Sequence, residues 1–559
     1  MKSFISALLI FSASLCLAQG AIKSSVIFTS NPLEYEKIEF EIKISASFKN
    51  PYDAQDIKLD MILDSPSGRP LTLPCYYESG DSLNSVWHAR FAAQETGEYS
   101  YHFQLDTKHG LPENSSEQSF NVASSSKNGF LHPNNIWTFK FDSGKLFRGL
   151  GENVGWESRS FEDQKFTYEY LLASIAKNGG NFFRTWMCAW NLPLEWNHVR
   201  DTKRYSDSDE YFNPGAIKRM DRLVELTDSL GLYFMLALDW HGALMKNANW
   251  PKNNYNVLNG GPVETPTDYF TFETARAKYK NKLRYIIARW GYATSIAAFE
   301  FFNEIDNAAY TPMDSVIIPH SAITEWHSEM SRYIKENDPY NHLVTTSISH
   351  REIMGLNSLP HIDFNQKHIY KHTEKIPGIL RNYSHLYNKP YVVAEFGYRW
   401  EDDDPKYGKE FDYDYKRGLW YGLFNPTPIL PMTWWWEMFD TRNMTPYMNS
   451  VREISNQMLS AGNGSFEIIN VSAGKIESYA VKCGDKYFVY LLNNSRDEQN
   501  SSVILDAKTS GKFKVQSFKP ITRKYNDIGN PGIVENKIRL NRIKLVSKDE
   551  LVLILTPIK

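Results

Sequence analysis

Two glutamates follow strongly apolar runs, a placement typical of a catalytic carboxylate pair. Glu304 ends the run Ala-Ala-Phe-Glu-Phe-Phe-Asn-Glu that begins at Ala297, and Glu395 follows Val-Val-Ala from Val392. Hydrolysis of a glycosidic bond needs a proton donor at the leaving oxygen and a carboxylate at the anomeric carbon. Two carboxyls about 5–5.5 Å apart do this with retention of configuration. The pair therefore indicates glycoside hydrolysis, provided that one fold brings both glutamates together.

The segments that would position them alternate between strand and helix patterns over residues 128–458. The eight strand candidates are Leu146–Trp156, Asn181–Met187, Tyr233–Trp240, Ile296–Glu304, Leu343–Ser349, Asp363–Tyr370, Tyr391–Gly397 and Ile429–Trp436. Helical periodicity covers Tyr168–Lys177, Pro214–Leu230, Tyr269–Trp290 and Ala322–Glu336. Eight βα units imply a closed (β/α)8 TIM barrel, whose active sites lie at the carboxyl ends of the strands. An open doubly wound sheet is the alternative, but no glycine-rich phosphate loop follows the first strand.

These positions resemble clan A of the glycoside hydrolases and, within it, family five, the cellulase and mannanase family. Asn303-Glu304 at strand four and Glu395 at strand seven carry the resemblance. The further matching positions are Arg184 after strand two, His241 after strand three, His368 and Tyr370 in a His-x-Tyr at strand six, and Trp434 and Trp436 at strand eight. The resemblance covers the whole barrel region and six of its eight strand ends, which makes it a specific pattern.

The resemblance implies a role for each of these residues. Glu304 would be the acid/base, with a raised pKa, and Glu395 the ionised nucleophile, its charged form favoured by Arg184 and the Tyr370 hydroxyl. Asn303 would bind the sugar 2-hydroxyl. His241 and His368 would hold hydroxyls or carboxylates in place. Trp436 and, secondarily, Trp434 would form the floor on which the sugar ring stacks. Hydrogen bonding to backbone groups is the alternative for both histidines.

Nearby candidates have structural interpretations. Glu300 lies four residues before Glu304 on one strand face, so we expect a carboxylate paired deeper in the barrel. Strand alternation points Trp435 away from the barrel axis. The acidic run Glu401–Asp404 lacks the ligand spacing of a calcium loop and is interpreted as a solvated loop. No His, Cys and carboxylate cluster predicts a metal, and no cofactor is expected.

All-β patterns flank the barrel region on both sides. Residues 19–125 alternate in runs such as Ile38–Ile44 and Ile57–Leu63, and a polar linker follows. Residues 459–559 return to short β runs, including Tyr487–Leu492 and Leu551–Leu555. We predict a β-sandwich domain at each end. Trp87-His-Ala-Arg-Phe and Gly97-Glu-Tyr also resemble the β-sandwich that precedes such barrels in polysaccharide-degrading bacteria.

Composition limits the partners. The chain has 559 residues, too many for one core, and a formal net charge of −3, which provides no basic field for nucleic acid or an anionic membrane. Aromatic residues make up 14%, with 15 Trp and 33 Tyr, which suits burial as well as stacking on sugars. A carbohydrate substrate, a monomer and no membrane span are expected.

The N-terminus predicts secretion to the periplasm or the cell exterior. Lys2, a short apolar stretch and Ala18 form a signal peptide over residues 1–18, with a lipid anchor on Cys16 as the disfavoured alternative. The mature chain keeps Cys75, Cys188 and Cys483. Their odd number and wide spacing predict buried free thiols, although one long-range disulfide stays open.

Two other functions use the same scaffold. A catalytically silent glycan-binding barrel would be expected to lack one carboxylate, whereas both are present here. A transglycosidase would use identical residues. The sequence determines neither the sugar and its linkage nor endo against exo action.

Overall fold

The computed structural model describes residues 20–81, 83–157, 164–200, 203–508 and 511–558, so the predicted signal peptide lies outside the described residues. The chain divides into two compact units. One comprises the residues up to Ser125 together with Asn281–Tyr292, and the other comprises Ser126–Lys280 and Ala293–Lys559.

The first unit contains two antiparallel sheets. Its strands are β1 Ala21–Ile27, β2 Ile38–Ser45, β3 Ile57–Asp64, β4 Pro70–Pro74, β5 Tyr76–Gly80, β6 Ser85–Phe91, β7 Gly97–Thr107, β8 Glu113–Asn114 and β9 Gln118–Val122. One sheet has the order β1-β2-β6-β5, and the other has β4-β3-β7-β8 with β9 also paired to β7. Alternate residues of β2 are buried, so Phe40 meets Tyr101 of the other sheet edge-on, with 5.2 Å between ring centroids. This is the all-β region expected before the barrel.

The second unit opens with a small antiparallel sheet of β10 Leu131–Pro133, β11 Phe139–Phe141 and β12 Leu146–Phe147. Parallel strands follow: β13 Gly151–Asn153, β14 Phe182–Trp186, β15 Tyr233–Trp240, β16 Ile296–Asn303, β17 Leu343–Thr345, β18 Ser347–Ile348, β19 Asn365–Tyr370 and β20 Tyr391–Gly397. Strands β13 to β17 pair in sequence order, as do β18 to β20.

Backbone hydrogen bonds through residues 428–434 connect the last strand to the first. Met432 N donates to Val393 O at 3.1 Å, and Leu430 N donates to Gly149 O at 2.8 Å. With β17 and β18 counted as one interrupted strand, the pairing follows the cyclic order of a (β/α)8 barrel. One buried cluster contains a side chain from each of five of these strands, namely Phe182, Met235, Ala298, Val392 and Met432.

The helices of the chain are α1 Tyr168–Lys177, α2 Pro214–Leu230, α3 Pro266–Thr271, α4 Glu273–Trp290, α5 Ile305–Ala309, α6 His320–Asn337, α7 Ile376–Tyr387, α8 Gly408–Leu423, α9 Trp436–Thr441 and α10 Met448–Gly462. The ends of α2 match the sequence signals closely. The Asn213 side chain caps the N-terminus, Pro214 occupies the first turn, and Gly231 ends the helix at φ 63°.

The C-terminal strands are β21 Phe466–Ile469, β22 Val471–Ser472, β23 Glu477–Cys483, β24 Lys486–Leu492, β25 Gln499–Asp506, β26 Lys512–Lys519, β27 Lys524–Gly529, β28 Ile533–Val534, β29 Lys537–Leu545 and β30 Glu550–Ile558. They form a six-stranded and a four-stranded antiparallel sheet, and Val489 of one shares a buried core with Leu505 of the other. Trp420 of α8 stacks on Tyr490 of β24 with centroids 5.5 Å apart. The C-terminal sheets thus pack on the helices of the same unit.

Besides the strand predicted over Leu343–Ser349, which is interrupted between β17 and β18, three predicted elements were wrong in their extent. The run Leu146–Trp156 is not one strand, because Leu146 and Phe147 pair antiparallel with β11 before β13 begins. The predicted helix Tyr269–Trp290 is interrupted at Phe272, whose backbone is extended. The strand predicted over Ile429–Trp436 stops short of Trp436, because Trp435 adopts a left-handed conformation at φ 55° and α9 then begins.

The three cysteines of the described residues, Cys75, Cys188 and Cys483, are free and buried, as predicted. No helix in the described part of the chain combines the length and apolar character needed to cross a membrane.

Candidate active site

Parallel pairing places the candidate residues together, because the carboxyl ends of neighbouring strands share one edge. Glu304 directly follows β16, and its backbone is left-handed at φ 53°. Its N–H donates to the Ser347 hydroxyl of the neighbouring strand at 2.9 Å. This turn links β16 to α5 and sets the Glu304 side chain at the strand end, where 13% of it is exposed.

Arg184 of β14 is the central cation of the site and is fully buried. It donates from Nε and Nη2 to the two oxygens of Glu300, at 2.6 and 2.8 Å. Nη1 donates to Glu395 Oε1 at 2.7 Å, and Nη2 also donates to Asn303 Oδ1 at 2.8 Å. A single guanidinium therefore orients the deeper carboxylate Glu300, the candidate nucleophile and the candidate 2-hydroxyl ligand.

Glu395 lies at the carboxyl end of β20, and both of its oxygens accept hydrogen bonds. Oε1 accepts from Arg184, and Oε2 accepts from the Tyr370 hydroxyl at 2.6 Å. His368 and Arg184 act to lower the pKa of Glu395, but burial outweighs them and raises it above the usual range. Arg184 and Tyr370 thus favour the charged form, as expected, but the net shift of the pKa is upward, because the sequence did not reveal how completely the carboxyl is buried.

Glu304 has a different set of partners. Asn307 of α5 donates to Oε2 at 2.8 Å, His368 Nδ1 lies 2.8 Å from Oε1, and His241 Nδ1 lies 3.7 Å from Oε2. Burial raises the pKa of Glu304, as expected of a proton donor. Within the described part of the chain, no arginine donates a hydrogen bond to Glu304, in contrast to Glu395.

His368 bridges the two carboxyls from β19. Its Nδ1 lies 2.8 Å from Glu304 Oε1 and 3.4 Å from Glu395 Oε2. Burial lowers the pKa of His368 to about 4, so the ring is neutral near pH 7. Its Nε2 is buried without a hydrogen-bond partner among the described residues. Nδ1 is thus the ring nitrogen that contacts both carboxyls, in contrast to the alternative of hydrogen bonding to backbone groups.

His241 begins a short 3-10 turn directly after β15, and its Nδ1 lies 3.3 Å from Asn303 O. Its side chain is 24% exposed. It therefore combines a backbone contact with access to the cavity described next.

A cavity of about 580 Å³ opens above the carboxyl pair. Its lining includes the predicted residues Glu304, Glu395, His241, Asn303, His368, Tyr370 and Trp434. Seven other lining residues were not predicted from the sequence, namely Trp186, Asn307, Ser349, His350, Lys371, His372 and Trp400. Trp186 could have been predicted as a lining residue from its position, because it ends β14 two residues after Arg184.

The expected order of the two floor tryptophans is reversed. Trp434 lines the cavity, whereas Trp436 is not among the lining residues and is only 3% exposed. The Trp436 ring packs edge-on against Trp434 and Trp156 at 5.1 and 5.2 Å. The left-handed Trp435 ends the extended segment, so Trp436 begins a helix and supports the floor from behind.

Glu304, His368 and Glu395 place ligand atoms within 4.8 Å of one another, so they could surround a metal ion. All four carboxylate oxygens already face protein groups: Arg184 and Tyr370 at Glu395, and His368 and Asn307 at Glu304. The same distance brings one oxygen of each carboxyl within reach of a single sugar carbon and its glycosidic oxygen.

Comparison with known families identifies two regions of the chain. Residues 147–397 match the model of the cellulase family, glycosyl hydrolase family 5, and residues 32–106 match a domain of unknown function, DUF5060. A probable mannan endo-1,4-beta-mannosidase C from Aspergillus terreus is 25% identical over 228 residues, which are 37% of this chain. The match spans about half, 52%, of the length of that relative.

Solved structures share the fold. A putative glycoside hydrolase from Bacteroides vulgatus superposes with a TM-score of 0.65 at 15% identity, covering 95% of this chain and 100% of that one. A glycoside hydrolase family 5 protein from the same organism gives 0.52 at 14% identity, covering 77% and 94%. The resemblance of the barrel region to family five is thus confirmed.

Proposed function

We propose that the barrel region, which resembles glycosyl hydrolase family 5, makes this protein a secreted β-glycosidase that acts with retention. The observation that carries the proposal is the carboxyl pair Glu304 and Glu395, with oxygens no more than 4.8 Å apart at the base of one cavity. A retaining pair lies about 5–5.5 Å apart, whereas an inverting pair leaves about 6.5–9.5 Å for a water molecule.

In the first step Glu395 attacks the anomeric carbon while Glu304 gives its proton to the leaving oxygen. The C–O bond to the aglycone breaks, and an ester between sugar and Glu395 forms. Arg184 and Tyr370 hold the attacking carboxylate in position through their hydrogen bonds. In the second step the Glu304 carboxylate takes a proton from water, and the water oxygen attacks the anomeric carbon from the face that the aglycone left. The bond between the sugar and Glu395 breaks, and the Glu395 carboxylate is released.

The two carboxyls titrate as a pair. Each is buried, and the Glu304 charge further raises the pKa of Glu395. Burial thus favours the state in which one of the two carboxyls keeps its proton. Arg184 contacts Glu395 directly, which directs the negative charge to Glu395 and the proton to Glu304. This is the protonation state that the first step requires.

For the substrate we propose a β-linked polysaccharide or oligosaccharide. The Aspergillus terreus relative is named for mannan, so β-mannan is the first substrate to assay, followed by β-glucan and galactan. The cavity provides Trp434 and the exposed Trp400 as aromatic surfaces for sugar rings. Transfer to an acceptor sugar uses the same two steps with a hydroxyl in place of water.

The stereochemical test is proton NMR of the first-formed product. We expect the β anomer to appear before mutarotation, and a slow fluorosugar of matching configuration to label Glu395. An α product appearing first would exclude retention. Absence of turnover on the whole panel, with saccharide binding intact, would favour the silent glycan-binding alternative.

Secretion and the domain boundaries are part of the same proposal. We infer cleavage after Ala18, and domains at 19–125, 128–458 and 459–559. N-terminal sequencing of the exported protein should begin at Gln19.

A further inference from the structure

A second cavity lies at the opposite end of the barrel strands from the carboxyl pair. Its volume is about 800 Å³, within the range typical of small-molecule sites. One side is formed by residues that precede or begin the first three strands, namely Lys145–Arg148, Asn181, Gly231 and Tyr233, and helix α10 forms the other. We call it the basal cavity.

The charged side chains that line the basal cavity are all cations. They are Lys145, Arg148 and Arg452, and none of the described residues lining it is an aspartate or glutamate. Most other arginines around the barrel have carboxylate partners, as Arg219 does with Glu157 at 2.5 Å. Positive charge without an acidic partner attracts an anionic ligand.

Arg148 and Arg452 differ in their remaining hydrogen-bonding capacity. Arg148 gives its donors to backbone carbonyls at the end of α8, including Leu423 O at 3.0 Å and Gly422 O at 3.1 Å. Arg452 donates from Nε to Gly179 O at 2.7 Å, but its Nη2 is buried without a partner among the described residues. Burial lowers the pKa of Arg452 to about 10, and the Arg452 charge contributes to lowering that of Arg148. Among the described residues, Arg452 is thus the lining arginine that keeps an unsatisfied donor, its Nη2.

The remainder of the lining suits a polyhydroxylated molecule better than a bare ion. Helix α10 presents Arg452, Asn456 and Ser460 at four-residue spacing, so the three side chains lie along one face. Tyr233 contributes a half-buried ring, held edge-on by Phe147 at 5.3 Å. Amide, hydroxyl and aromatic groups beside a cation match a sugar ring that carries a negative charge.

We propose that the basal cavity binds an acidic saccharide, a sugar that carries a carboxylate or a sulfate. Arg452 and Lys145 pair with the anionic group, Arg148 adds its charge from behind, and Asn456 and Ser460 bind hydroxyls. The site is separate from the carboxyl pair, and the proposal holds whatever reaction occurs there.

The test is calorimetric titration of the full chain at low ionic strength with glucuronate, glucose 6-sulfate, glucose and inorganic sulfate. We expect the two acidic sugars to bind and neutral glucose to bind at least about tenfold more weakly, because a hydrogen bond to a charged group is lost. Arg452→Gln should weaken binding of the acidic sugars about tenfold, and Lys145→Gln, at an exposed position, severalfold. Arg539→Gln changes an exposed arginine of β29 and should leave the affinity unchanged.

Each other outcome decides against the proposal. Equal affinity for glucose and glucuronate would show that the cavity does not recognise the charge. Binding of inorganic sulfate, with no binding of either acidic sugar, would show a site for small anions only. Glucuronate binding that neither Arg452→Gln nor Lys145→Gln weakens would place the ligand elsewhere. If Arg452→Gln does not fold, Lys145→Gln and Arg452→Lys carry the test, with weakened and retained binding expected respectively.

Discussion

The Tyr370 hydroxyl, at the last residue of β19, donates to Glu395 Oε2 near the carboxyl end of the neighbouring strand β20 at 2.6 Å. A hydrogen bond to the charged form stabilises that form, so its loss should raise the pKa of Glu395. In Tyr370→Phe we expect the acidic limb of the kcat/KM profile to move to higher pH by about one unit. The assay uses an aryl glycoside with a good leaving group, so that protonation by Glu304 does not limit the rate. Tyr387→Phe, at the end of α7, is the control, and an unmoved acidic limb would contradict the role of Tyr370.

The two glutamates should respond differently to removal. Glu395→Gln should abolish turnover of every substrate, because no other described carboxylate lines the cavity except Glu304. Glu304→Ala should reduce turnover of natural glycosides by about 10²–10⁴-fold yet spare aryl glycosides whose leaving group needs no proton. Added azide should then restore turnover and give a β-glycosyl azide. Identical responses of the two variants to leaving group and azide would show that the roles are misassigned, and Glu374→Ala provides an exposed control.

A chelator should leave the activity unchanged, although Glu304, His368 and Glu395 could surround a cation. Protein groups already contact all four carboxylate oxygens, and the Arg184 charge beside Glu395 opposes a second cation. We expect equal kcat/KM before and after dialysis against EDTA. A loss that added Mg²⁺, Ca²⁺ or Zn²⁺ reverses would assign a metal to this triad.

Substitution of Trp434 should affect mainly substrate binding, whereas substitution of Trp436 should affect mainly stability. Trp434 lines the cavity, so Trp434→Ala should lower kcat/KM about tenfold or more with a small change in unfolding free energy. Trp436 is buried behind it, so Trp436→Ala should cost about 3–5 kcal/mol of stability through the void it leaves. Urea unfolding and kinetics measure the two effects. Equal kinetic loss in both variants with normal stability would place Trp436 in contact with substrate after all.

His327 of α6 should make the barrel sensitive to acid. The ring is buried, its Nε2 lies 3.1 Å from Thr346 Oγ1, and burial lowers its pKa to about 4. Between pH 6.5 and 4 the unfolded chain binds a proton that the folded chain does not, so stability falls as pH falls through this window. The full effect is about 3 kcal/mol. His327→Gln should flatten the plot of unfolding free energy against pH in this window, relative to the exposed control His385→Gln. Parallel plots for the two variants would contradict the role of His327.

The residue types at the strand ends and the order of the elements were predictable from local sequence patterns. Each of Glu304, Glu395 and Arg184 follows or lies within an apolar run. Hydrophobic patterns with a period of two residues in strands and 3.6 residues in helices suffice to identify the elements. The ends of α2 were also predictable, because Asn213, Pro214 and Gly231 act on backbone groups within a few residues of themselves.

The charge state of these residues and their access to the cavity depend on how distant segments pack. The raised pKa of Glu395 depends on burial among strands far apart in sequence, and the choice of Trp434 over Trp436 depends on a left-handed Trp435. The bridging position of His368, and the Arg452 Nη2 that has no partner among the described residues, likewise arise from elements that meet across the fold. Desolvation, positive φ at a non-glycine residue and contacts between distant segments are properties of the packed chain, and local sequence carries no signal for them.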